Sequence, residues 1–159
     1  MDEKTRKVLL RMTESRRLLW DTIQALSEEE HTTICVEGVW TTKDLIGHVT
    51  AWDTSLLKPL KEYVESGAFT PEMIPDHDAW NALQAAALKD RSLVEIKNES
   101  TIVREELLAT AIKLRAPQWE EVFPAPWGGM ETFAQMIDGL AWHEEEHTKS
   151  IQARFNMTK

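Results

Sequence analysis

The sequence predicts an all-α fold, a four-helix bundle, on three observations. Apolar residues recur at three- and four-residue spacing through four long stretches, the period of a helix with one buried face. Serine, threonine and aspartate stand where those stretches begin, placed to accept from the first free backbone N–H groups. Prolines and glycines gather between the stretches, and no strand-like alternation develops. Residues 1–159 read as one such domain, long enough to bury a core without disulfides or a structural metal.

The first helix covers about residues 3–26, with Val8, Leu9, Met12, Leu19, Ile23 and Leu26 on one face. Ser27 to Glu30 has the form of a capping box and suggests a short extra turn before an irregular stretch to Val39. The second helix has the clearest start. Thr41 is its N-cap, Asp44 stands at the capping-box position, and Trp40 is placed to pack on Leu45. It runs to Ser66, where Gly67 supplies a stop, and Pro59 is expected to kink it.

The segment GAFTPEMIPDHD reads as a loop that delivers Asp76 or Asp78 as the next N-cap. A long third helix then reaches about Arg115, with Trp80, Leu83, Ala87, Val94, Thr101, Leu107, Leu108 and Leu114 as inward candidates. Pro117 ends it, and APQWEEVFPAPWGG cannot stay regular for long. Thr132 with Gln135 opens the fourth helix, which lasts almost to the end. Seven tryptophans suit a packed core, with Trp119 and Trp127 free to line a pocket mouth or a dimer contact.

Charge narrows the function classes. Lys and Arg total 18 against 27 Asp and Glu, a formal net charge of -9, with no basic block to neutralise phosphates, so nucleic acid is not an expected partner. The first residues are charged throughout and no later segment is long and apolar enough to span a bilayer, which predicts neither signal peptide nor membrane. One cysteine, Cys35, cannot make an internal disulfide and fits a cytoplasmic protein, where it reads as a small buried apolar residue.

The chemistry sits near the C-terminus. His143-Glu144-Glu145-Glu146-His147 spells H-E-x-x-H, the zinc-peptidase pattern. At about 100° per residue, the two histidines lie roughly 40° apart inside the apolar stripe that holds Met136, Leu140 and Ile151. Glu145 points to water on that wheel, and Glu144 and Glu146 flank the pair at similar angles. Two inward imidazoles one turn apart can share a divalent ion, and they can equally be hydrogen-bonded core histidines. A third ligand would decide it. His48, at the edge of the second helix's stripe beside Leu45 and Trp52, is the candidate, unless it only bonds to Asp44. His31 and His77 read as solvated.

GVWTTKDLIGHVTAWD, residues 38–53, resembles a motif of the DinB-like superfamily, particularly its colibactin self-protection and maleylpyruvate-isomerase-like branches. HDAWNALQAA and HEEEHTKSI stand where that family has its third-helix start and its H-x-x-x-H helix. The resemblance implies a four-helix bundle of up-down-down-up course, commonly a homodimer, in which His48, His143 and His147 bind nickel or zinc. The ten-residue loop after the second helix can reach about 33 Å, enough for the crossover that course requires. Members of the family include transferases and isomerases that use a low-molecular-weight thiol, and a hydrolase.

Three neutral imidazoles leave a divalent ion with open positions, where a water or a thiol would lose its proton near neutral pH. The expected function is therefore metal-assisted nucleophilic chemistry on a small electrophilic molecule, by thiol transfer or hydrolysis. Two other classes remain. A non-catalytic small-molecule binding or self-protection bundle would hold a structural metal or none. A metallopeptidase would use Glu144 as its general base, but no strand is expected that could hold an extended peptide.

Overall fold

Six helices and two short hairpins make up the computed structural model, which describes residues 3–157. α1 (Glu3–Ile23) and α2 (Glu28–Thr33) lead into a hairpin of β1 (Cys35–Glu37) and β2 (Trp40–Thr41). α3 (Thr42–Ser66), α4 (His77–Leu88) and α5 (Leu93–Ala111) follow. A second hairpin, β3 (Val122–Pro124) with β4 (Met130–Thr132), delivers α6 (Phe133–Arg154). The caps on α2, α3 and α6 are those the sequence predicts. Ser27, Thr41 and Thr132 each accept from the residue three places on, and the side chains of Glu30, Asp44 and Gln135 accept in return from the cap N–H.

Cross-helix contacts fix the directions. Along α1, Arg11, Ser15 and Thr22 meet Asp138, Glu144 and Gln152 in turn, so α1 and α6 run parallel. Lys43, Asp53 and Lys61 of α3 likewise meet the Lys89 carbonyl, Arg104 and Glu106, so α3 and α5 run parallel. His48 lies against His143 but Tyr63 against Phe133, which makes α3 and α6 antiparallel. The four long helices are an up-down-down-up bundle.

The third helix differs from the expectation. It is two helices, broken at 89–92 and restarted by a Ser92–Glu95 capping box that the continuing apolar period concealed. Because the break resets the helical phase, Leu83, Ala87 and Val94 are exposed rather than inward. The return that two parallel neighbours require is made by residues 67–76 together with α4, not by the loop alone. α4 ends with Leu88 packed where any Cβ on Gly47 would collide with it, so the glycine makes room for this helix end.

Two apolar clusters fill the bundle. One contains Met12, Leu56, Leu107 and Phe133, and the other Leu19, Ile46, Ile96 and Ile151. Between them lies a polar layer to which each long helix contributes. Arg16 donates to Glu144 at 2.5 Å and to Asp53 at 3.1 Å, and Arg104 donates to Asp53 at 2.9 Å. Ser15 donates to Glu144 at 2.7 Å, and Ser100 accepts from Arg16 at 2.7 Å. All six side chains are buried. Two guanidiniums against two carboxylates leave the layer neutral, which is how these charges can sit away from water.

Three further expectations are corrected. Cys35 is exposed at the hairpin, and Trp119 is core. His31 is not solvated either, being 2% exposed on the inner face of α2. Burial, reinforced by the positive charge of Lys97, lowers its pKa to about 4. An unfolded histidine titrates near 6.5, so the unfolded chain binds more protons between these values. The stability tied to His31 is then complete above about pH 6.5 and is lost as pH falls through about 4. Urea unfolding of chelated protein at pH 7 and pH 4.5 should therefore show a smaller acid loss for His31→Leu than for the unsubstituted chain. An equal loss would refute this account of His31.

Candidate metal centre

α3 and α6 bring His48, His143 and His147 to one point. The Nε2 atom of His143 lies 3.0 Å from that of His48 and 2.9 Å from that of His147, and one ligand atom from each of the three falls within 4.8 Å of the others. The i, i+4 spacing sets the α6 pair on one face, and antiparallel packing sets His48 opposite. Trp40 closes one side with its ring 4.7 Å from His48, while its indole packs on the cluster that holds Leu45. Trp52, one turn beyond His48, lies edge-on at 6.4 Å to both His48 and His143.

The protonation state suits a cation. Burial first, and the other imidazoles second, lower His48 to about 3 and His143 to about 4, so both are neutral near pH 7. The Nδ1 atom of His147 lies 2.8 Å from Glu37 Oε1, and an N–H donated there leaves Nε2 with its lone pair turned to the other two rings. A ring nitrogen has one in-plane bonding position, yet His143 Nε2 faces two others at hydrogen-bond distance. Hydrogen bonds cannot satisfy both approaches, whereas a shared cation can. Bonds of about 2.0–2.1 Å in a tetrahedral arrangement would place such nitrogens about 3.3 Å apart, a few tenths wider than seen here. The residues present fit a divalent ion.

The glutamates of HEEEH separate sharply. Glu144 is fully buried on the far side of α6, held in the polar layer by Ser15, Arg16 and Arg104. Glu145, expected in water, is held by two hydrogen bonds from Arg11. Glu146 lines the pocket and pairs with Lys149. The glutamate hydrogen-bonded to a triad histidine is Glu37, from the hairpin, for which the sequence offered no signal. The polar layer did leave one, because Arg16, Asp53 and Glu144 each fall in phase with an apolar stripe. His77 is exposed as expected, but it bonds to the Trp127 carbonyl at 2.9 Å and, with Trp127, lines the pocket mouth.

The model of the DinB superfamily matches residues 11–151. YuaE of Bacillus subtilis, named as uncharacterized, is 24% identical over 148 residues, 87% of this chain and 91% of its own. Among solved structures, mycothiol-dependent maleylpyruvate isomerase superposes with a TM-score of 0.79 at 14% identity, over 95% of this chain. This chain spans only 63% of that enzyme's length. YfiT of Bacillus subtilis, described as a probable metal-dependent hydrolase with an unusual four-helix bundle topology, gives 0.75 at 16% identity, over 99% of this chain and 91% of its own. At such identities the likeness to solved structures speaks to the fold.

Proposed function

The chain belongs to the DinB superfamily, and from that premise we propose that it is a metal-dependent enzyme acting on a small electrophilic molecule by thiol transfer or hydrolysis. His48, His143 and His147 hold the ion, nickel or zinc. The observation that carries this reading is the convergence of three Nε2 atoms, two of them in neutral rings, that of His48 buried and that of His143 half-buried, in an open pocket. A divalent ion with three neutral ligands keeps open positions and acidifies a water or thiol that enters one. The chain's own part is to orient and to exclude. Glu37 fixes the ring of His147, while Trp40 and Trp52 pack against the triad from the pocket walls and limit the water that reaches it.

Glu144 takes no part in peptide hydrolysis on this reading, because its carboxylate is committed to two arginines away from the pocket. Among the described residues no helix is long and apolar enough to cross a membrane. A cytoplasmic, homodimeric protein of one domain is part of the proposal, the assembly being readable by light scattering.

Metal analysis of untagged protein, purified without chelator, should find about one equivalent of nickel or zinc per chain. Turnover of electrophilic substrates should vanish on chelation and return with metal, and its dependence on added thiol separates transfer from hydrolysis. Cys35→Ser should leave turnover intact, because this exposed thiol sits outside the pocket. Metal-free protein with full turnover would overturn the proposal.

A further inference from the structure

The histidine triad occupies one end of a cavity of about 1040 Å³. One wall is aromatic. The ring of Trp52 lies 5.3 Å from His77 and 6.3 Å from Trp127, each met edge-to-face, and the three rings line the pocket next to the proposed ligands. The charged side chains of the lining are Glu37, Glu131, Asp138, Glu146 and Arg11. Arg11 is the one arginine or lysine among the described lining residues, and its guanidinium is already spent. It donates to both oxygens of Glu145, at 2.9 and 2.7 Å, and to Asp138 at 2.8 Å. Glu131 accepts from Trp127 Nε1 at 3.0 Å and has no cationic partner among the described residues. A carboxylate thus sits at the edge of the aromatic wall with its charge uncompensated.

We propose that this pocket selects a planar, non-anionic substrate, with a heteroaromatic cation as the best fit and a carboxylate-bearing molecule as the worst. The inference rests on the functional use of the pocket proposed above and adds its substrate class. Two features work in the same direction. Indole faces carry negative potential and attract a flat cation, an effect of a few-fold to about thirtyfold in affinity. An anion entering the same space meets Glu131 and finds no guanidinium or ammonium free to receive it, while both partners lose water. The apolar faces accept a planar body of either kind, so it is the charge that discriminates.

The test is calorimetric titration at pH 8 with three probes of similar size: 1-methylquinolinium, neutral quinoline and 2-naphthoate. Both chelated and metal-loaded protein are used, because a bound ion attracts a carboxylate on its own account. In chelated protein the cation should bind about tenfold more tightly than the anion, with quinoline between them. Glu131→Gln keeps an acceptor for Trp127 and removes the charge, so it should narrow that gap by about threefold or more. Trp127→Leu should weaken all three probes. Equal affinities, a preference for naphthoate, or a gap unchanged in Glu131→Gln would overturn the inference, as would no binding of any probe at millimolar concentration. Protein that takes up no metal on loading yet keeps the ranking would sink the metal reading alone, and protein that loads metal but shows no ranking once chelated would sink this one alone.

Discussion

Replacing Glu144 by alanine is expected to destabilise the fold by about 3–5 kcal/mol, because it leaves a buried arginine pair short of one carboxylate. Arg16 and Arg104 would then share Asp53 as their acidic partner, the Arg16 Nε would lose its acceptor, and the Ser15 hydroxyl would be left with the Met12 carbonyl. Against a total stability of about 5–15 kcal/mol, this can be the difference between a folded and a largely unfolded chain at physiological temperature. Glu146→Ala, on the same helical turn, removes a pocket-rim ion pair with Lys149 of a kind worth about 0–1 kcal/mol. Urea unfolding of the two variants side by side is the measurement. Similar midpoints would mean that the polar layer is not held together as its geometry implies. The flanking glutamates looked equivalent on the helical wheel, and this comparison shows how far apart the bundle has driven them.

The second expected result concerns the triad. His48→Ala should lower metal affinity by more than about 100-fold, since losing a ligand exceeds the 10–100-fold typical of changes behind one. Glu37→Gln should fall within that smaller range, because glutamine can still accept from His147 Nδ1 but carries no charge to strengthen the bond. His77→Ala should keep full occupancy, because its ring turns to the Trp127 carbonyl. Competition titration with a chromophoric chelator reads all three. Full occupancy in His48→Ala would remove His48 from the ligand set. An unchanged affinity in Glu37→Gln would make the hairpin contact incidental to the ion.

Much of this protein was legible in one dimension wherever a property depended on near neighbours in the chain. The capping boxes at Ser27, Thr41 and Thr132, the stripes of α1, α3 and α6, and the shared face of His143 and His147 all arise within a few residues. Period and hydrogen-bond chemistry are enough to read such features. His48 was picked out from an edge position supported by the likeness of its motif to a family.

The remaining features depend on which element packs against which. Residues 89–92 break the third helix although the apolar period runs on, because a new capped helix starts at Ser92 and α4 and α5 pack on α3 separately. His31 and Cys35 exchanged their expected environments, because His31 turns inward from α2 while Cys35 faces outward from the hairpin. Glu144 and Glu146 differ by two residues, but one meets Arg16 and Arg104 from two other helices and the other meets Lys149 on its own. Glu37 reaches His147 across 110 residues of chain. Local sequence determined the helices and the histidine face. The break, the polar layer and the carboxylate behind His147 were decided only by tertiary packing, since burial and ion pairing are properties of two surfaces and a periodic pattern describes one.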